Sequence, residues 1–169
     1  MDFRGELKAS LGWIWSDGAV DDRRLDFLRQ FLIGSGDGQA EAVWWDTDRP
    51  LPDASSVTLD LAGLLRVVLG DPHYTSFQRI KALLLISDDQ SVGELVLGGA
   101  VTHTWTEPFG GTNGQLVVPP ASPLLLANSG PGWDVTDTSR FLKLAASGGD
   151  VTWSMAVIGT TTPASSSGV

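Results

Sequence analysis

The chain has 169 residues and a mass of 17.9 kDa, enough for one domain with a real buried core. Twenty Asp and Glu face eleven Lys and Arg, giving a net charge of −9 and a pI near 4.4, a surface that repels phosphate backbones and anionic headgroups and so argues against nucleic acid and membrane as partners. No Cys is present, which removes disulfides and Cys-ligated zinc, and seven Trp with 18% charged residues is not a disordered composition.

The N-terminus, MDFRGELKAS, is mixed and polar, and the longest apolar run is Ala82–Ile86, so a soluble, non-secreted protein is expected. Twenty Gly and nine Pro punctuate short apolar runs, the pattern of many short strands joined by turns. The first run alternates: Leu7, Ala9, Leu11, Trp13 and Trp15 share one face, Lys8, Ser10 and Gly12 the other. Asp17-Gly18 supplies a turn. Leu25–Ile33 fits both a strand and a helical stripe. A strand is favoured, because Ala40–Trp45 is extended and would pair with it as a hairpin.

Val57–Leu61 alternates cleanly, whereas Ala62–Leu69 fits a short helix or a buried strand and ends at Gly70-Asp71-Pro72. Phe77–Ile86 has apolar residues of both parities and is expected to be a central strand buried on both faces. Short strands are expected at Glu94–Leu97, Gln115–Val118 and Pro123–Ala127. Arg140–Ala145 and Val151–Ile158 read as a hairpin across Ser147–Asp150, with Val151, Trp153, Met155 and Val157 on one face. The tail TTTPASSSGV cannot form core. Together these runs predict an all-β antiparallel sandwich, jelly-roll-like, of roughly nine to eleven strands. It would occupy residues 1–159 as one domain, with 1–50 open to packing as a hairpin layer and 160–169 as a flexible tail.

Catalytic signals are sparse. His73 and His103 have no partner at metal-ligand spacing, and no G-x-S-x-G elbow is present. Gly34-x-Gly36-x-Gly38 lacks the lysine of a phosphate loop and reads as a turn. Asp46-Thr47-Asp48 is a D-x-D, a metal motif of some glycosyltransferases but too short a pattern to carry weight in so Asp-rich a chain, and Asp21-Asp22 and Asp88-Asp89 read as solvated turn acids rather than calcium ligands. No catalytic residue, metal or cofactor is expected, and the chain does not read as an enzyme. The tryptophans carry more. Trp13, Trp15 and Trp153 fall on the buried parity of their strands. Adjacent Trp44 and Trp45 must face opposite ways, so one of them is a candidate for exposure. Trp105, in the turn-rich THTWTEPFGG, is the next.

From Ala42 to Gly159 the chain resembles a group of small structural proteins of tailed bacteriophages. VWWDTDRPL (Val43–Leu51), SVTLDLAGLL (Ser56–Leu65), FQRIKALLLIS (Phe77–Ser87), ELVLGGA (Glu94–Ala100) and WTEPFGG (Trp105–Gly111) come in the family's order. QLVVPPASPLLLAN (Gln115–Asn128) and GWDVTDTSRFLKLAASGGDVTWSMAVIGT (Gly132–Thr160) follow, for about two-thirds of the chain. Pro119-Pro120-Ala121-Ser122 departs from the family's Pro-Gly-Gly, which alters a turn and not the strand order. The resemblance implies a virion component made in the host cytoplasm. The chain's acidic composition suits the outer surface of a shell or a tail assembly, and the leading reading is a capsid decoration (cement) protein on the outside of the head, bound to the major coat protein or other virion proteins. A homo-oligomer, with a trimer favoured, is implied. A neck, tail or fibre-attachment protein and a carbohydrate-binding module are the alternatives. The candidate interface residues are Trp44, Trp45, Trp105, the N-terminal Asp2, Phe3 and Arg4, and the tail residues Thr160, Thr161, Thr162 and Pro163.

Overall fold

The computed structural model describes residues 3–16 and 20–161, with side chains for all of these except 15–16, 20–22 and 68. These residues hold fourteen strands and no helix. The strands are β1 (Gly5–Ser16), β2 (Val20–Ile33), β3 (Gln39–Ala40), β4 (Ala42–Leu51), β5 (Ser56–Asp60), β6 (Leu64–Val68) and β7 (Asp71–Thr75). They continue with β8 (Arg79–Ser87), β9 (Glu94–Gly98), β10 (Gln115–Val118), β11 (Ser122–Ala127), β12 (Trp133–Asp134), β13 (Phe141–Ser147) and β14 (Val151–Thr160).

Eight of them build the body as two sheets, β4-β14-β8-β11 and β5-β13-β9-β10. In chain order the first of the eight pairs with the last, the second with the seventh, the third with the sixth and the fourth with the fifth, all antiparallel. This nested pairing is the double-sheet jelly roll. Period-two alternation creates the core between the sheets. Trp44, Leu83, Leu85, Trp153, Met155 and Val157 point inward from one sheet, and Leu95, Leu97, Leu142 and Leu144 from the other. Two hairpins lie outside this body. β6 and β7 form a short one, and β1 and β2 form a long ribbon that β3 joins through two parallel pairs.

Several expectations are corrected. The strand count exceeds nine to eleven because β3 and β12 are too short to show a period, and because the residues expected to close a run at Gly70-Asp71-Pro72 instead open β7. β13 and β14 are not a hairpin: β13 pairs β5 and β9, β14 pairs β4 and β8, and Gly148 (φ 79°) and Gly149 (φ 149°) carry the chain from one sheet to the other. Leu25–Ile33 is a strand as favoured, yet its partner is β1, and 42–51 pairs β14.

β8 lies inside its sheet, between β14 and β11, but its two faces fare differently. Leu83 and Leu85 are fully buried, whereas Leu84 and Ile86 are 36% and 41% exposed. A bulge also breaks its parity. Ile158 pairs Ala82 and Gly159 pairs Ile80, leaving Lys81 as the extra residue, so that Ile80 turns into the core while Ala82 faces out. Lys81 is wholly buried. Its Nζ donates to the carbonyls of Gly36 (3.2 Å) and Gly130, tying the loop after the ribbon to the loop before β12. Burial holds its pKa below the ordinary lysine value, against the pull of nearby Asp37.

A candidate assembly surface: the ribbon and the outer sheet face

The ribbon's register follows from its sequence. Cross-strand partners in an antiparallel pair share a face. The pairs Gly5–Phe31, Leu7–Arg29, Ala9–Phe27, Leu11–Leu25 and Trp13–Arg23 therefore line one side, and Glu6–Gln30, Lys8–Leu28, Ser10–Asp26 and Gly12–Arg24 the other. The first side is apolar apart from its arginines. The second is mostly polar, with Ser10 Oγ donating to Asp26 Oδ1 at 2.6 Å and Lys8 paired to Glu6 at 2.9 Å.

The base of the apolar side is covered. Leu7 and Phe31 are buried against Ala40, Ala82, Leu125 and Ile158, with Phe3 packed alongside. Past Lys8 the cover ends. On the same side Leu11 is 67% exposed, Leu25 70%, Phe27 51% and Trp13 43%. One continuous apolar face is thus sealed at its root and open along its length.

The surface beneath the root behaves likewise. The row Trp45–Ala156–Leu84–Leu125 crosses the outer face of the β4-β14-β8-β11 sheet, and Val43–Ile158–Ala82–Ala127 lies beside it. The ribbon root covers Ala82, while Leu84, Ile86 and Val43 remain 36–41% exposed. Between ribbon and sheet lies a groove of about 370 Å³, lined by Glu6 and Lys8 as well as Leu7, Leu84, Leu125 and Ile158.

The candidate interface residues separate. Trp44 is buried in the core, where its Nε1 donates to Leu65 O at 3.2 Å, and Trp45 is 39% exposed, so the two do face opposite ways. The Arg66 guanidinium sits 2.9 Å from the centroid of the Trp45 ring. Trp105 is corrected. It is fully buried, meets Phe109 and Trp133 edge-on at 6.1 and 6.0 Å, and donates from Nε1 to Asp134 O at 3.0 Å. A tryptophan in a loop can plug the end of a sandwich, and strand parity says nothing about it. Thr160 is also corrected. It ends β14 opposite Arg79, is buried, and is not part of a free tail. Thr161 is exposed and bonds Glu41 Oε1 through both N and Oγ1 at 3.0 Å. Phe3 joins the ribbon root, and Arg4 is exposed. Asp2, Thr162, Pro163 and the Asp17-Gly18 turn lie outside the described residues, as does the side chain of Trp15. Trp13, expected in the core, is half exposed: its parity is right, but the face it lies on has no body beneath it.

The acidic turns are used locally. Asp46 Oδ1 accepts from Thr47 N at 3.1 Å and Asp46 pairs with Arg49 at 3.3 Å; Asp88 Oδ1 accepts from Gln90 N at 2.8 Å. Among the described residues no cluster of three or more His, Asp or Glu could hold a metal ion. His103 stacks on Phe141 at 6.1 Å, and His73 is exposed on β7. Leu11, Leu25, Phe27, Leu84 and Ile86 were not among the residues singled out from the sequence. The available signal was the alternation of 7–15 mirrored in 25–31, which defines a face without saying what covers it.

Comparison with protein-family models, curated proteins and solved structures finds no match to this chain.

Proposed function

We propose that this chain is a non-catalytic assembly protein, an accessory structural component of a tailed-phage particle that decorates the outside of the coat lattice. The observation that supports the reading best is the ribbon: Leu11, Trp13, Leu25 and Phe27 hold an apolar face out in solvent on a rigid jelly roll. A contiguous exposed apolar face is a feature of protein–protein interaction sites, and the reading takes this face as one. Jelly rolls serve viral capsids and lectins alike, so the fold alone does not choose between them. The motif order from Ala42 to Gly159 supports a virion component, and the net charge of −9 favours the outer surface of a shell or a tail assembly over contact with packaged DNA. A glycan-binding platform needs open, coplanar indoles. Of the described tryptophans, Trp44, Trp105 and Trp153 are buried, Trp133 is half-buried, Trp45 lies under Arg66, and Trp13 stands half exposed on the ribbon, so the described residues hold no coplanar pair of open indoles.

The mechanism is mechanical. A protein that binds the assembled coat and not its free subunits stabilises the assembly by mass action. The test is the copy number of this chain per purified particle, measured against the major coat protein. Hundreds of copies in a simple ratio are expected. A few to a few dozen would move the protein to the neck, tail or fibres, and none would overturn the virion reading.

A further inference from the structure

We infer that the ribbon of one copy of this chain seats on the open outer sheet face of a second copy, a head-to-tail contact. The inference takes up the ribbon on which the reading above rests and names its partner.

Three observations carry it. The first is continuity. Leu7 and Phe31, at the root of the ribbon, already pack on Ala82, Leu125 and Ile158 of their own outer sheet face. The same ribbon side continues as Ala9, Leu11, Leu25, Phe27 and Trp13, largely exposed, and the same sheet face continues as Leu84, Ile86 and Val43, 36–41% exposed. Each surface is the complement the other already accepts at the root. As it lies, the ribbon leaves the rest of its own sheet face uncovered. The ribbon of another copy can cover it.

The second is area. Leu11, Trp13, Leu25 and Phe27 are each between 43% and 70% exposed. At roughly 100 Å² or a little more each they present on the order of 500 Å² of apolar surface. The open sheet face, where Val43, Trp45, Leu84 and Ile86 are 36–41% exposed, offers less, on the order of 350 Å². Each contact joins one ribbon to one sheet face and so buries on the order of 850 Å² in total, the size of a small, transient interface rather than the roughly 1,600 Å² of a standard one, and every subunit can make two such contacts. A symmetric ribbon-to-ribbon contact would leave the sheet face bare.

The third is charge. Residues 34–169 hold fourteen acidic and six basic residues, a balance of −8, whereas 4–33 hold five of each. Two bodies meeting face to face would bring like charges together. The ribbon brings a neutral element, with Arg23 beside Trp13 on its apolar side, onto an acidic body.

The test uses the full chain in solution, without particles. One variant carries Leu25→Glu and Phe27→Glu, and a second carries Leu84→Glu and Ile86→Glu. All four side chains are at least 36% exposed, so folding should persist, checked by circular dichroism and thermal unfolding. In sedimentation velocity the wild-type chain is expected to assemble and each variant to sediment as a monomer. An equimolar mixture should form a one-to-one heterodimer, because one intact ribbon then meets one intact face. A wild-type chain that stays monomeric, a ribbon variant that assembles as wild type does, or a mixture that fails to pair would each overturn the inference. Should a glutamate variant misfold, a Leu25→Cys chain mixed with an Ile86→Cys chain asks the same question, since the protein has no cysteine of its own. A disulfide-linked heterodimer is expected, and its absence under oxidation would count against the contact. A self-associating chain missing from particles would sink only the virion reading. A particle-bound monomer would sink only this one.

Discussion

Phe31→Ala isolates what holds the ribbon to the jelly roll. Phe31 is 1% exposed and sits with Leu7 in a small cluster separate from the main core. Fully burying a Leu or Phe side chain contributes about 1.5–3 kcal/mol, so the two together hold the ribbon root down by roughly 3–6 kcal/mol. Truncating Phe31 removes about half of that. The docked ribbon should weaken by about 2–3 kcal/mol, roughly a 30- to 150-fold shift toward the open form. The jelly-roll core contains neither Leu7 nor Phe31, so its own stability should barely change. Hydrogen exchange resolves the two. Amides of β1 and β2 should lose protection by that factor, while amides of β8, β13 and β14 keep theirs, and the urea midpoint of global unfolding should move little. Equal losses in ribbon and core, with a global destabilisation of about 3 kcal/mol, would show that the ribbon folds as part of the body and would refute this division.

Three further outcomes follow from single contacts. Gly159→Ala should destabilise by more than about 3 kcal/mol in chemical denaturation, or abolish folding, because a Cβ there would collide with the backbone oxygen of Arg79 beside the bulge, and backbone cannot step aside. Asp60→Asn should flatten the acid limb of stability: Asp60 is bonded to Arg140 Nε at 2.7 Å, and that hydrogen bond, ahead of the backbone N–H of Ala62, holds its carboxyl below the ordinary value. A depressed carboxylate stabilises the fold above the unfolded pKa near 3.8 and loses that contribution as pH falls through the folded pKa, so wild type and variant should converge at low pH and differ at neutral pH by about 1 kcal/mol for this half-exposed pair. Leu69→Asn should raise the thermal midpoint, because Leu69 (φ 53°) and Gly70 (φ 93°) form the two-residue turn between β6 and β7, where Asn-Gly is favoured, and Leu69 is fully exposed.

How much of this was legible follows from what alternation reports. Gln115–Val118 was placed to the residue, and the inward set Val151, Trp153, Met155, Val157 is buried as its parity requires. Pairing was not legible. Ser147–Asp150 has the glycines of a hairpin turn, yet the same residues serve an arch between sheets, since a local turn does not state which strand lies alongside. Nor was the bulge: Ile80 and Ala82 share parity and face opposite ways because Lys81 is inserted between them. Ala121, at φ 55°, holds a left-handed turn where glycine would be expected, so the departure at Pro119–Ser122 left the β10 and β11 strands on either side intact. The candidate surface was half legible. The apolar side of Leu7–Trp15 could be read, but Leu7 is buried while Ala9, Leu11 and Trp13 are open, and only the three-dimensional length of the body decides where cover ends.

That geometry also explains why stability and assembly are separable in this chain. The jelly roll closes its own core from β4 to β14, with Trp105 plugging one end, and none of the exposed ribbon residues contributes to it. A two-stranded ribbon is marginal by itself in water, so β1 and β2 gain their order from Leu7 and Phe31 at one end and from whatever covers Leu11, Leu25 and Phe27 at the other. An acidic body suits this arrangement. Fourteen carboxylates against six basic residues keep bodies apart in free solution, and the neutral ribbon supplies a short-range apolar contact that does not require those bodies to touch. Association is then set by a few exposed side chains on β1 and β2, which can change without disturbing the core that holds them in place.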